Sequence, residues 1–177
     1  MLAEYWKLYG GFRAFLSSRY LLFAVVFSGI LYPAWWDNLW WDDVLSVIPS
    51  ILGFSLGGYA MWLAIGNDDF RRFISGNGAS GRLSPFISVN ATFVHFIVVQ
   101  LLSLLLAITG KSYYFELPTD SVIKMFLGDA LAPICRIGSF IGFTVFLYAL
   151  CTALAATLAI FRASRWYDQY VSAEKTE

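Results

Sequence analysis

VLSVIPSILGFSLGGYAMWLAIG, residues 44–66, contains no charged side chain. At about 1.5 Å of rise per residue, a helix of this length crosses a hydrocarbon core roughly 30 Å thick, and in lipid only a helix satisfies its own backbone. The stretch reads as a membrane-spanning helix. Its small residues Ser46, Ser50, Gly53, Gly57, Ala60 and Ala64 follow one another at alternating steps of four and three, so they form one stripe. Gly53 and Gly57 make a small-xxx-small pair that lets another helix backbone approach closely enough for dispersion contacts to replace lipid contacts. This face calls for a protein partner.

The rest of the chain agrees with a membrane setting. It has 177 residues, 59% hydrophobic and 19% aromatic, with a mean hydropathy of +0.65. That lies well beyond an ordinary soluble domain. Twelve basic and twelve acidic residues cancel, so no nucleic-acid-binding surface is expected. Cys135 and Cys151 fall in or beside one expected helix, about 24 Å apart along its axis and outside disulfide reach. Together with the lone His95 they offer no zinc spacing, and no metal or cofactor is expected.

In chain order, residues 1–19 place Leu2, Trp6, Tyr9, Phe12, Phe15 and Leu16 near helical spacing, with Lys7, Arg13 and Arg19 elsewhere. This predicts an amphipathic helix in the membrane interface, bent at Gly10 and Gly11. The first apolar run has basic residues before it but no small-x-small cleavage site after it, so it reads as a retained first span, residues 20–36. Pro33 bends or ends it. Trp35, Trp36, Trp40 and Trp41 then sit among acidic groups and read as headgroup-level anchors, whose indoles bury a ring and keep the N–H wet. The second span is the opening stretch, residues 44–66.

Residues 67–84 form a connector with Arg71, Arg72 and Arg82, and its glycines make it pliable. These glycines do not form a phosphate loop, because no strand precedes them and no Lys-Ser or Lys-Thr follows. Arg71 and Arg72 are candidate contacts for anionic lipid or a protein partner. The third span, residues 85–109, is the most polar. Ser88, Thr92 and His95 share a face that points into a bundle or cavity, since a polar group facing lipid is costly. They are the candidate polar conduit, with His95 either titrating or hydrogen-bonded to another helix.

Residues 110–133 are an outer loop carrying a short apolar-sided helix. The fourth span, residues 134–161, repeats the small-residue pattern at Gly138, Gly142, Val145, Ala149, Thr152, Ala156 and Ala159. Arg136 at its outer end reads as a snorkelling anchor. Residues 162–177 read as a basic, aromatic collar followed by a polar tail, with Arg162 and Arg165 as further lipid or partner contacts.

Nine lysines and arginines fall on the side of the connector and tail, while Lys111, Lys124 and Arg136 fall on the other. By the positive-inside rule both termini are cytoplasmic. The expected fold is all-α: a polytopic four-transmembrane-helix bundle forming a single membrane domain.

An enzyme needs a nucleophile beside a base, a carboxylate pair, a metal cluster or a cofactor loop. None is recognisable, and no catalytic residue is assigned. Two functions remain. One is a homo-oligomeric channel-like or membrane-perturbing assembly; the other is a non-conducting membrane anchor or sensor that recruits a cytoplasmic effector. Four helices with tiny loops and both ends inside resemble the plan of small bacterial membrane subunits in toxin, stress or phage-defence systems, including the membrane component of the Kiwa defence system. The resemblance implies a bacterial inner-membrane location and assigns no site.

Overall fold

The computed structural model describes residues 2–36, 39–64, 68–75, 84–114 and 127–174. Among them are eight α-helices, one 3-10 turn and no strand. The helices are α1 (Leu2–Tyr9), α2 (Gly11–Leu16), α3 (Arg19–Ile30), α4 (Tyr32–Trp36), α5 (Trp40–Ala64), α6 (Asp68–Ser75), α7 (Pro85–Ser112) and α8 (Leu131–Glu174). Helices α5, α7 and α8 are long and apolar enough to cross a membrane.

Local chemistry explains several boundaries. Asp42 and Asp43 occupy the first turn of α5, where the helix dipole favours negative charge, and the helix begins at Trp40 rather than Val44. Ser84 caps α7 by accepting from the Ile87 amide, and Pro85 follows at the first helical position, where its missing N–H costs nothing.

The first apolar run differs from the continuous span expected over residues 20–36. Helix α3 has 12 residues, about 18 Å, and the chain turns at Leu31 before α4. Pro33 supplies no amide to carry the ladder through this break.

Helix α8 is also longer than the fourth span expected over residues 134–161. Its 44 residues run about 66 Å, twice the thickness of a hydrocarbon core, and include most of the segment assigned to a polar tail. Ala163, Trp166 and Tyr170 continue its inward face and pack with Phe70 and Ile74 of α6. That contact gives the extension a reason to stay helical.

Helix α7 lies between α5 and α8, while α3 and α4 pack on α8. Trp41 meets Tyr114 at one end and Trp62 meets Phe86 at the other, so α5 and α7 run antiparallel. Ser28 meets Thr144 and Trp35 meets Phe140, which sets α3 and α4 antiparallel to α8. The outer-loop helix expected within residues 110–133 falls largely outside the described residues.

Candidate functional site

Helix α1 packs against α7. Gly10 and Gly11 adopt φ of 107° and 64°, and a Cβ on Gly10 would stand 2.7 Å from that of Ala14. Two glycines thus form the expected bend, and the bend folds α1 onto α7.

The contact it makes there is centred on His95. The imidazole is 4% exposed. Tyr5 Oη lies 2.7 Å from Nδ1 on one side, and Tyr148 Oη of α8 lies 2.7 Å from Nε2 on the other. Tyr9 covers the ring face, and its own hydroxyl is 3.4 Å from that of Tyr148. Both ring nitrogens are therefore used, and three elements meet on one side chain.

Of the other two members of the expected conduit, Thr92 lines one cavity together with His95, and Ser88 is not among its lining residues. Ser88 is exposed, and Thr92 is half-buried with its hydroxyl donating to the Ser88 carbonyl at 3.0 Å. A backbone acceptor one turn back satisfies it without any neighbour. Tyr9 covers one face of the imidazole, and His95 and Thr92 both line a cavity shared with Arg19 and Arg162.

Polar residues that the sequence pattern left aside instead join α5 to α7. Gln100 is fully buried and donates from Nε2 to Ser55 Oγ at 3.1 Å. Trp62 Nε1 donates to Asn90 Oδ1 at 2.9 Å. Polar pairs of this kind hold helices together in lipid, where water offers no competing partner.

The two small-residue stripes have different fates. On α8, Gly142, Ala149, Thr152, Ala156 and Ala159 are buried, with Gly138 exposed at the outer end. A Cβ on Gly142 would overlap the Trp40 ring, which occupies that gap. On α5, Ser50, Gly53, Gly57, Ala60 and Ala64 are all exposed, and nothing lies within 4 Å of a Cβ placed on Gly53 or Gly57. The subunit instead buries the opposite, bulky side of α5 through Trp41, Val44, Ile48 and Trp62.

Three of the four expected anchors turn inward. Trp35, Trp40 and Trp41 are buried in the cluster that closes one bundle end, while Trp36 is exposed under the Arg136 guanidinium at 4.5 Å. Trp35 Nε1 donates to the Ser28 carbonyl at 2.8 Å. These indoles plug helices together because Gly110 and Gly142 leave room for them. A cavity of about 450 Å³ lies beside them.

Among the expected arginine contacts, Arg71 donates to the Leu63 carbonyl at the end of α5, and exposed Arg72 stands 3.9 Å from Asp69. Arg165 is exposed. Arg162 lines a second cavity, of about 490 Å³, together with Arg19 and His95. Among the described residues no group of three or more His, Cys, Asp or Glu side chains is placed to hold a metal.

The fold and this site define an all-helical protein with three helices suited to crossing a membrane and a buried histidine–tyrosine cluster that fastens its N-terminal helix. No family model, curated protein or solved structure matches the chain.

Proposed function

We propose that this chain is a non-enzymatic, non-conducting anchor or sensor subunit of a bacterial inner membrane, which recruits a cytoplasmic effector. The tyrosine shell around His95 carries this reading. A conduit needs polar groups facing water, whereas His95 spends both nitrogens on Tyr5 and Tyr148 and its face on Tyr9. Such a cluster suits a latch that holds or releases α1. The effector would meet the connector, residues 67–84, or the basic end of α8. In this topology the apolar run from Arg19 to Trp36 supplies a fourth crossing, and both termini are cytoplasmic.

Purified protein in sealed liposomes tests the choice between the two functions. The sensor reading expects no ion or small-solute flux at any protein density. Flux that changes when His95 is replaced by Ala would overturn it.

The exposed α5 stripe favours a second reading. Its open glycine face suits self-association, and a homo-oligomer could enclose a channel-like path between copies rather than within one. The same flux assay separates that assembly from the sensor.

A further inference from the structure

The cavity of about 490 Å³ sits where the α2–α3 corner faces α7 and α8. Arg19 begins α3 and Arg162 lies late in α8, and because these helices run antiparallel both residues line the same cavity. Both are exposed at its rim. Hydroxyl-bearing Ser18, Tyr20, Thr92 and Thr152 line it as well, and Ala155 and Leu158 give it an apolar side.

No carboxylate is among the lining residues, and among the described residues the ion pairs are Arg72 with Asp69 and Lys111 with Asp42. Two like charges sharing a cavity without a counter-charge repel one another. An anion between them turns that cost into attraction, and the planar guanidinium fork matches the oxygens of a phosphate.

We infer that this cavity binds an anionic phosphate group, held by Arg19 and Arg162 against the hydroxyl-lined wall. Its size falls within the roughly 300–1,000 Å³ of ordinary small-molecule sites. Its rim lies at the bundle end that carries Arg71, Arg72 and Arg165, the level at which anionic lipid headgroups collect on a positive-inside protein. The side formed by Ala155 and Leu158 lets an acyl chain leave toward the bilayer. A phospholipid headgroup and free phosphate share the chemistry. Headgroup binding is a property separate from conduction, so it stands or fails independently of the sensor reading.

The test is native mass spectrometry of the full-length protein, delipidated in neutral detergent and titrated with phosphatidylglycerol, phosphatidylcholine or inorganic phosphate. The expected result is a phosphatidylglycerol adduct on each chain, at least about tenfold tighter than phosphatidylcholine, whose phosphate carries its own ammonium counter-charge and brings a third cation beside Arg19 and Arg162. Arg19→Gln/Arg162→Gln loses that preference; Lys7→Gln/Arg13→Gln, which removes two exposed positive charges outside the cavity, keeps it. Ala155→Phe fills the cavity without changing charge and also loses the adduct, which decides the matter if the arginine variant fails to fold. Displacement of the lipid by inorganic phosphate identifies the phosphate group alone as sufficient; lack of displacement identifies the lipid as the source. Equal affinity for the two lipids, equal loss in both charge-removing double variants, or wild-type binding by Ala155→Phe overturns the inference.

Discussion

The rings of Tyr9 and His95 lie face to face, with centroids 3.7 Å apart and planes inclined by 11°. With Tyr5 and Tyr148 on its two nitrogens, the imidazole has no free edge. A neutral imidazole offers one donor and one acceptor, so one tyrosine donates to it and the other accepts from it.

Replacing His95 by Leu strands the Tyr5 hydroxyl and leaves buried Tyr148 with its 3.4 Å contact to Tyr9. The expected loss is about 1–3 kcal/mol for each stranded group that water cannot reach. Thr92→Val, which removes only a bond to the α7 backbone, should cost far less. Thermal unfolding of the two variants in one detergent checks this. Equal, small losses would mean that the histidine is not a joint between helices.

Gly142→Ala places a Cβ 2.2 Å from the Trp40 ring, so the ring must leave its seat. Overpacking of this kind typically costs about 1–3 kcal/mol. The unfolding midpoint should fall, and tryptophan emission should shift as Trp40 moves. Gly138→Ala, with open space around it, should leave both unchanged.

Gly53→Leu/Gly57→Leu tests the open α5 stripe. Each leucine enters empty space within the subunit, so subunit stability should hold. Self-association should weaken, because leucines on a close-approach face keep backbones apart. Cross-linking in lipid, compared with wild type at equal protein density, reads the change. An unchanged oligomer would remove the stripe from any interface.

Burial, reinforced by Tyr9, pushes the Tyr5 phenol from its ordinary value of 10.0 up to about 12. The folded state thus favours the neutral phenol. Its contribution to stability is complete below pH 10 and is lost as pH rises from there through about 12. The wild-type minus Tyr5→Phe difference in absorbance at phenolate wavelengths should have its midpoint near 12. A midpoint near 10 would mean that Tyr5 is solvated and α1 undocked.

Some of this was readable in residues 44–66 and their counterparts, because lipid admits an uncharged apolar run in few other forms. The hinge at Gly10 and Gly11 was also legible, since few other residues tolerate left-handed backbone there. Periodicity found the α5 and α8 stripes equally well, but it reports which residues share a face, not what that face meets. Only α8 buries its stripe within the subunit.

The tryptophans show the same limit. A headgroup anchor and a bundle plug have one local pattern, and the glycines that seat Trp40 and Trp41 lie far downstream at Gly110 and Gly142. His95 stood out as the single histidine. Its partners did not, because Tyr5, Tyr9 and Tyr148 come from opposite ends of the chain. The i, i+4 spacing of Tyr5 and Tyr9 was the one available signal, and it marks a shared face without marking its target.

The most direct measurement is amide hydrogen exchange over residues 2–9 of the full-length protein in lipid nanodiscs, compared with His95→Leu. Docking of α1 onto the imidazole predicts slow exchange in the wild type and exchange about tenfold faster or more in the variant, since about 1.4 kcal/mol corresponds to a factor of ten. Equal rates in the two proteins would contradict the latch.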